Sequence, residues 1–123
     1  MANPTHVFVV DDDPSARMGL GRLLRTAGHV VREFATADEF LDGLEPDVSG
    51  CVLVLDARMP GLSGEELKQE LEARGVDLPV IVVTADDDPE TRRQASRMGA
   101  AAFFRKPVDG AALLDAIRWA LRS

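Results

Sequence analysis

One cysteine, two lysines and no apolar stretch of membrane-spanning length bound what this 123-residue chain can be. The lone Cys51 excludes an internal disulfide, and its place inside an apolar run marks it as a buried structural thiol. No segment approaches the roughly 20 apolar residues that a bilayer-crossing helix needs. Met1–His6 lacks the basic start and long apolar stretch of a secretory signal, so a cytoplasmic location without membrane contact is expected. Basic charge is also short: the formal net charge is −7, which argues against direct nucleic acid binding because phosphate neutralisation needs a basic surface. No repeat, linker or low-complexity stretch divides the chain. Residues 1–123 are therefore read as a single domain with no output domain among them.

What is present is organised around Cys51–Gly64, CVLVLDARMPGLSG. Five apolar residues run into a single carboxylate, Asp56, and the chain then leaves through a Met59-Pro60-Gly61 turn. Such a run predicts a strand buried on both faces in the middle of a parallel sheet. Further strands are predicted over His6–Val10, His29–Phe34, Pro79–Thr84 and Ala101–Arg105. Between them lie amphipathic helical patterns. The first opens at Asp13-Pro14, uses Leu20, Leu23, Leu24 and Ala27 as its apolar face, and ends at Gly28. Thr36–Glu39 and Ser63–Glu66 read as capping boxes. Asp88-Pro89 repeats the cap-and-proline start, and Asp109 caps a last helix with a Leu113, Ala116, Ile117, Ala120 stripe. The fold class is α/β: five parallel strands alternating with five helices on both faces of a doubly wound sheet.

In such a sheet the C-terminal strand ends share one edge, where ligands bind. That edge collects Asp11 and Asp12 from the first strand, Asp56 from the third, Thr84 from the fourth and Lys106 from the fifth. Clustered carboxylates repel one another unless a cation relieves them, and an all-oxygen set suits a hard divalent ion such as magnesium. A hydroxyl and an ammonium opposite them suit the oxygens of a phosphoryl group. The chemistry is phosphoryl transfer by positioning and charge neutralisation, with the central Asp56 as nucleophile. Lys106 is one of only two lysines, beside Lys68, in a chain that otherwise uses arginine, which favours a functional role.

The ordered set VVDDD, VLDARMPGLSG, VVTA and FFRKP resembles the receiver domain of bacterial two-component response regulators, over about His6 to Leu121. The DxRMPGxSG form and the Thr84-to-Asp88 spacing are most similar to FixJ-type transcriptional regulators. The resemblance implies a flavodoxin-like (CheY-like) strand order 2-1-3-4-5. It implies that Asp56 accepts a phosphoryl group from a sensor histidine kinase, and that Asp11, Asp12, Asp56 and the Arg58 backbone carbonyl hold Mg2+ or Mn2+. Thr84 and Lys106 would meet the phosphoryl oxygens, Thr84 and Phe103 would act as switch residues, and Lys106-Pro107 would be cis. Phosphorylation would then act on the fourth helix and fifth strand, with homodimerisation through that face. Val108 departs from the family's usual phenylalanine, and Asp86 and Asp87 stand where glycine or histidine is common.

Two other functions compete. Asp11-x-Asp13 after a first strand is similar to the haloacid dehalogenase-type phosphatases, with Asp11 as nucleophile and Asp13 as general acid, but this leaves Asp56 and its exit unexplained. A stand-alone regulator without DNA-binding output is the second alternative. His6, His29 and Trp119 are read as structural, Trp119 through packing of the last helix, and one of Phe103 and Phe104 is expected in the core.

Overall fold

Alternate side chains of strands buried on both faces divide the interior into two layers, one on each side of the sheet. The computed structural model describes residues 5–45, 50–57, 63–86 and 88–122. Its elements run β1 (His6–Val10), α1 (Pro14–Thr26), β2 (Val30–Phe34), α2 (Ala37–Asp42), β3 (Cys51–Asp56), α3 (Gly64–Ala73), β4 (Val80–Thr84), α4 (Pro89–Arg97), β5 (Ala102–Arg105) and α5 (Gly110–Arg122). The strands form one parallel sheet in the order β2-β1-β3-β4-β5. The order of strands and helices, and the topology implied by resemblance, are as expected.

Successive side chains of a strand point to opposite faces. Phe8, Val10, Leu53, Leu55 and Val82 therefore meet α2, α3 and α4 through Phe40, Leu41, Leu67, Leu71, Ala95 and Met98. Val7, Val9, Val52, Val54, Ile81 and Val83 meet α1 and α5 through Leu20, Leu24, Leu113 and Ile117. Each such buried side chain is worth about 1.5–3 kcal/mol relative to exposure. All six residues of β3 are buried, which is why its sequence shows no polar alternation. At one edge of the sheet, β2 exposes Val30 and Arg32.

Several local expectations shift. β2, β4 and β5 each begin one residue late: the His29 N–H goes to the Leu24 carbonyl at 3.1 Å, Pro79 has no N–H, and Ala101 precedes the ladder. Ala27 is exposed at the end of α1 and not part of its buried face, and the chain turns at Gly28 with φ 95°. The Thr36 box is only half formed: Thr36 Oγ1 accepts from Glu39 N, but the Glu39 carboxylate reaches Ala35 N. The Ser63–Glu66 box is complete in both directions. Neither Phe103 nor Phe104 is fully buried; they lie on opposite faces and cover one layer each. Trp119 is 63% exposed, so it does not pack into the core, because the buried stripe of α5 is Leu113, Ile117 and Ala120.

Candidate functional site

The ladders end so that the polar residues following them converge. Val10 pairs with Leu55, which brings Asp11 and Asp56 out side by side. Asp56 is opposite Val83, and Thr84 is opposite Arg105, which delivers Lys106 to the same edge. Backbone bonds extend this order past the strands: Asp11 N to Phe34 O at 3.1 Å, and Lys106 N to Thr84 O at 2.7 Å.

Asp11, Asp56 and Thr84 are buried, whereas Asp12 is exposed. One carboxylate oxygen from each of Asp11, Asp12 and Asp56 lies within 4.8 Å of the other two. Asp11 is held on both oxygens. Oδ1 accepts from the Asp13 N–H at 3.0 Å and Oδ2 from Lys106 Nζ at 2.8 Å. Lys106 Nζ also donates to Asp56 Oδ2 at 3.3 Å, so one ammonium bridges two buried acids. Burial alone would lower the Lys106 pKa. The hydrogen bond that Lys106 donates to Asp11 and the charges of Asp56 and Asp11 reverse that, and the net direction is upward. The bond between Lys106 and Pro107 is cis.

Thr84 is fully buried, and its hydroxyl is engaged locally. Oγ1 accepts from Asp86 N at 3.1 Å and donates to Asp86 O at 3.2 Å. Asp86 itself is exposed. Asp13 is committed to α1, accepting from Ser15 N at 3.0 Å, and Asp88 caps α4 by accepting from Thr91 N at 2.7 Å. On the α4–β5 face the Arg92 guanidinium lies 5.0 Å from the Phe103 ring centroid. Beside this pair is a hollow of about 230 Å³, lined also by Ala95, Ser96, Ala100 and Ala102. The buried contacts of α4 include Thr91, which the apolar pattern did not flag because its hydroxyl-bearing side chain counts as polar.

Asp11, Asp12, Asp56 and Lys106 are thus brought together, and Thr84 ends the neighbouring strand. The Arg58 carbonyl and the Met59-Pro60-Gly61 turn lie outside the described residues, as does Asp87. Val108 is partly buried against the α1–α5 layer. His6 is exposed, and partly buried His29 has its pKa lowered, first by burial and then by the charge of Arg118. One contributor was missed. Arg17 donates from Nη1 to the Asp11 carbonyl at 2.7 Å. No pattern in the sequence marks it, because its partner is a backbone carbonyl that only the folded chain brings within reach.

Three oxygen donors of like charge fit a hard divalent cation and do not fit a soft metal that prefers thiolate or imidazole. No helix among the described residues is long and apolar enough to cross a membrane.

Comparison with known proteins gives a consistent result. A family model described as the response regulator receiver domain matches residues 7–118. The chain is similar to the transcriptional regulatory protein FixJ of Azorhizobium caulinodans, 44% identical over 115 residues, covering 94% of this chain and 54% of that protein. It is similar to the transcriptional regulatory protein TdiR of Thauera aromatica, 44% identical over 119 residues, covering 97% of this chain and 52% of that protein. Among solved structures, that of FixJ-N superposes with a TM-score of 0.87 at 34% identity, covering 98% of this chain and 96% of that one. The chain spans about half the length of the curated relatives it matches.

Proposed function

The chain belongs to the response regulator receiver domain family, and on that premise we propose that Asp56 is its phosphoacceptor. A receiver domain is a signalling phosphoacceptor, not a turnover enzyme on an external substrate. The observation that carries the assignment to Asp56 is the Lys106 ammonium shared between Asp11 and Asp56 at the mouth of the central strand.

An Asp56 carboxylate oxygen attacks the phosphorus of a phosphohistidine on a sensor histidine kinase. The phosphorus–nitrogen bond breaks, its electron pair returns to the imidazole, and a mixed anhydride remains on Asp56. Asp11, Asp12 and Asp56, with the Arg58 backbone carbonyl, would hold Mg2+ or Mn2+, which when bound neutralises charge on the phosphoryl oxygens. Lys106 is within reach of Asp56 and supplies the counter-charge on the other side. Asp11, anchored by the Asp13 amide, stays in place while Lys106 exchanges a carboxylate for a phosphoryl oxygen.

Thr84 links site to signal. To donate to a phosphoryl oxygen its hydroxyl must leave the Asp86 carbonyl, which releases the turn that enters α4. Phe103 and Arg92 lie on the face that this turn feeds. The α4–β5 face is therefore the proposed signalling surface and the proposed homodimer contact in the phosphorylated state. A transcriptional output in the whole protein is proposed from the FixJ and TdiR likeness.

Acetyl phosphate with Mg2+ tests the assignment. Borohydride trapping and peptide mass mapping should place the acyl phosphate at Asp56, and Asp56→Asn should abolish it. An acyl phosphate at Asp11 would overturn the reading in favour of a phosphatase-like nucleophile. Sedimentation with beryllofluoride and Mg2+ checks the dimer, and an unchanged monomer refutes it.

A further inference from the structure

Arg17 stands one turn into α1, and its guanidinium reaches back over the helix start. Nη1 bonds the Asp11 carbonyl at 2.7 Å, while Nε lies 4.0 Å from Glu33 Oε1. Both side chains are about four-fifths buried, with exposures of 20% and 19%. Glu33 is fixed in turn by Arg25, whose Nη1 donates to Oε2 at 2.7 Å and whose Nη2 reaches the Val31 carbonyl at 3.3 Å. Gly21 makes the room for this arrangement. A Cβ there would stand 2.5 Å from Glu33 Oε2, so a larger residue would displace the carboxylate.

The carbonyl that Arg17 holds belongs to the peptide between Asp11 and Asp12. A peptide unit is planar, so restraining its oxygen restrains the rotation of the whole unit. The next peptide, between Asp12 and Asp13, is restrained from its other end by the Asp13 N–H on Asp11 Oδ1 at 3.0 Å. Asp12 is therefore clamped by both of its flanking peptides. Among the described residues no hydrogen bond or ion pair holds its exposed side chain. The direction in which that carboxylate leaves the backbone is set by the clamp.

We propose that Arg17, braced by Glu33 over Gly21, is a positioning residue that aims the Asp12 carboxylate at the acidic site and thereby raises its affinity for a divalent cation. This rests on the reading of Asp11, Asp12 and Asp56 as the cation site. It goes beyond that reading because Arg17 is a cation itself. By charge alone a guanidinium beside the site repels a second cation, and its removal should tighten binding. By positioning, its removal should loosen binding. The two roles have opposite signs.

The test is Mg2+ titration of the intact, unphosphorylated chain by calorimetry, comparing wild type with Arg17→Met. Groups that orient metal ligands from outside are worth about 10–100-fold in affinity, and the low end, about tenfold weaker binding, is expected here. Arg17→Lys keeps the charge and one donor and should recover part of the loss. Arg22→Met removes the same charge from an exposed position of α1 and should not weaken binding. Exchange of the Asp13 amide in metal-free protein should be faster in Arg17→Met than in Arg22→Met. An Arg17→Met affinity equal to or tighter than wild type overturns the proposal. If Arg17→Met does not fold, Glu33→Gln serves: it loosens the brace and should weaken Mg2+ binding by a smaller factor, and unchanged binding overturns the proposal. Wild-type protein that binds no Mg2+ would sink the cation-site reading itself, a result distinct from a failure at Arg17 alone.

Discussion

Replacing Lys106 by methionine keeps the aliphatic stem and removes an ammonium that bridges Asp11 and Asp56. Both carboxylates are buried, at 2.8 and 3.3 Å from the ammonium. Removing one partner of a buried pair costs about 3–5 kcal/mol, because the other charge is left uncompensated. Lys106 is one-fifth exposed and water reaches it, so a smaller loss, about 2 kcal/mol, is expected in metal-free protein. With an unfolding entropy of about 2.1 cal/mol/K per residue, this lowers the Tm of a 123-residue domain by about 8 °C. A divalent cation at the same acids can take over the neutralisation, so the loss should shrink to less than half in saturating Mg2+. Mg2+ binding itself should tighten. Removing a unit charge at about 5 Å relieves each unit of charge on the ion of roughly 1–3 kcal/mol of repulsion at effective dielectrics between about 80 and 20. Calorimetric melts of Lys106→Met and wild type in EDTA and in Mg2+, with a Mg2+ titration of each, measure all three. A Tm in EDTA equal to wild type, or a loss as large in Mg2+ as in EDTA, would refute the reasoning.

The Lys106 pKa also predicts a pH dependence. Its folded value lies above its ordinary value of 10.5, so its contribution to stability is complete below that pH and is lost as the pH rises through the folded value. Urea denaturation from pH 9 to 11 should show a decline in wild type that Lys106→Met lacks, and parallel curves would count against it. Thr84→Val should cost about 1–3 kcal/mol, since the two bonds with Asp86 are lost at about 0.5–1.5 kcal/mol each. The same variant should still accept a phosphoryl group while its hydrogen-exchange response over α4 and β5 falls, and a full response would remove Thr84 from the switch. Ile117→Ala, at a fully buried position between α5 and the sheet, should cost about 3 kcal/mol in urea unfolding. A loss below about 1 kcal/mol would mean that α5 is not packed there.

The parts of the site legible in the sequence were those written as contrast. Asp56 stood out because five apolar residues precede it, and Asp11 and Asp12 because they interrupt HVFVV. Lys106 stood out by scarcity. Arg17 did not, since one arginine among many on an amphipathic helix looks like solvated charge until its carbonyl partner is seen. Trp119 misled for the opposite reason. Its size suggests burial, but helical phase places it off the stripe of Leu113, Ile117 and Ala120. Thr91 was passed over because a hydroxyl hides how completely a small side chain can be covered.

The sequence by itself determined the alternation of strands and helices, the caps at Asp13, Ser63 and Asp88, and the identities of the acids at the strand ends. These depend on periodicity and on contacts within a few residues, which a linear pattern records. Only the tertiary structure decided which groups touch. Strand pairing brings Lys106 to Asp11 across 95 positions and to Asp56 across 50, and no local spacing encodes either distance. The same holds for the clamp on Asp12. Arg17, Glu33 and Gly21 meet only because α1 lies against β2, and the packing of Leu20 and Leu24 on Val7, Val9 and Val31, not helix propensity, sets where it lies.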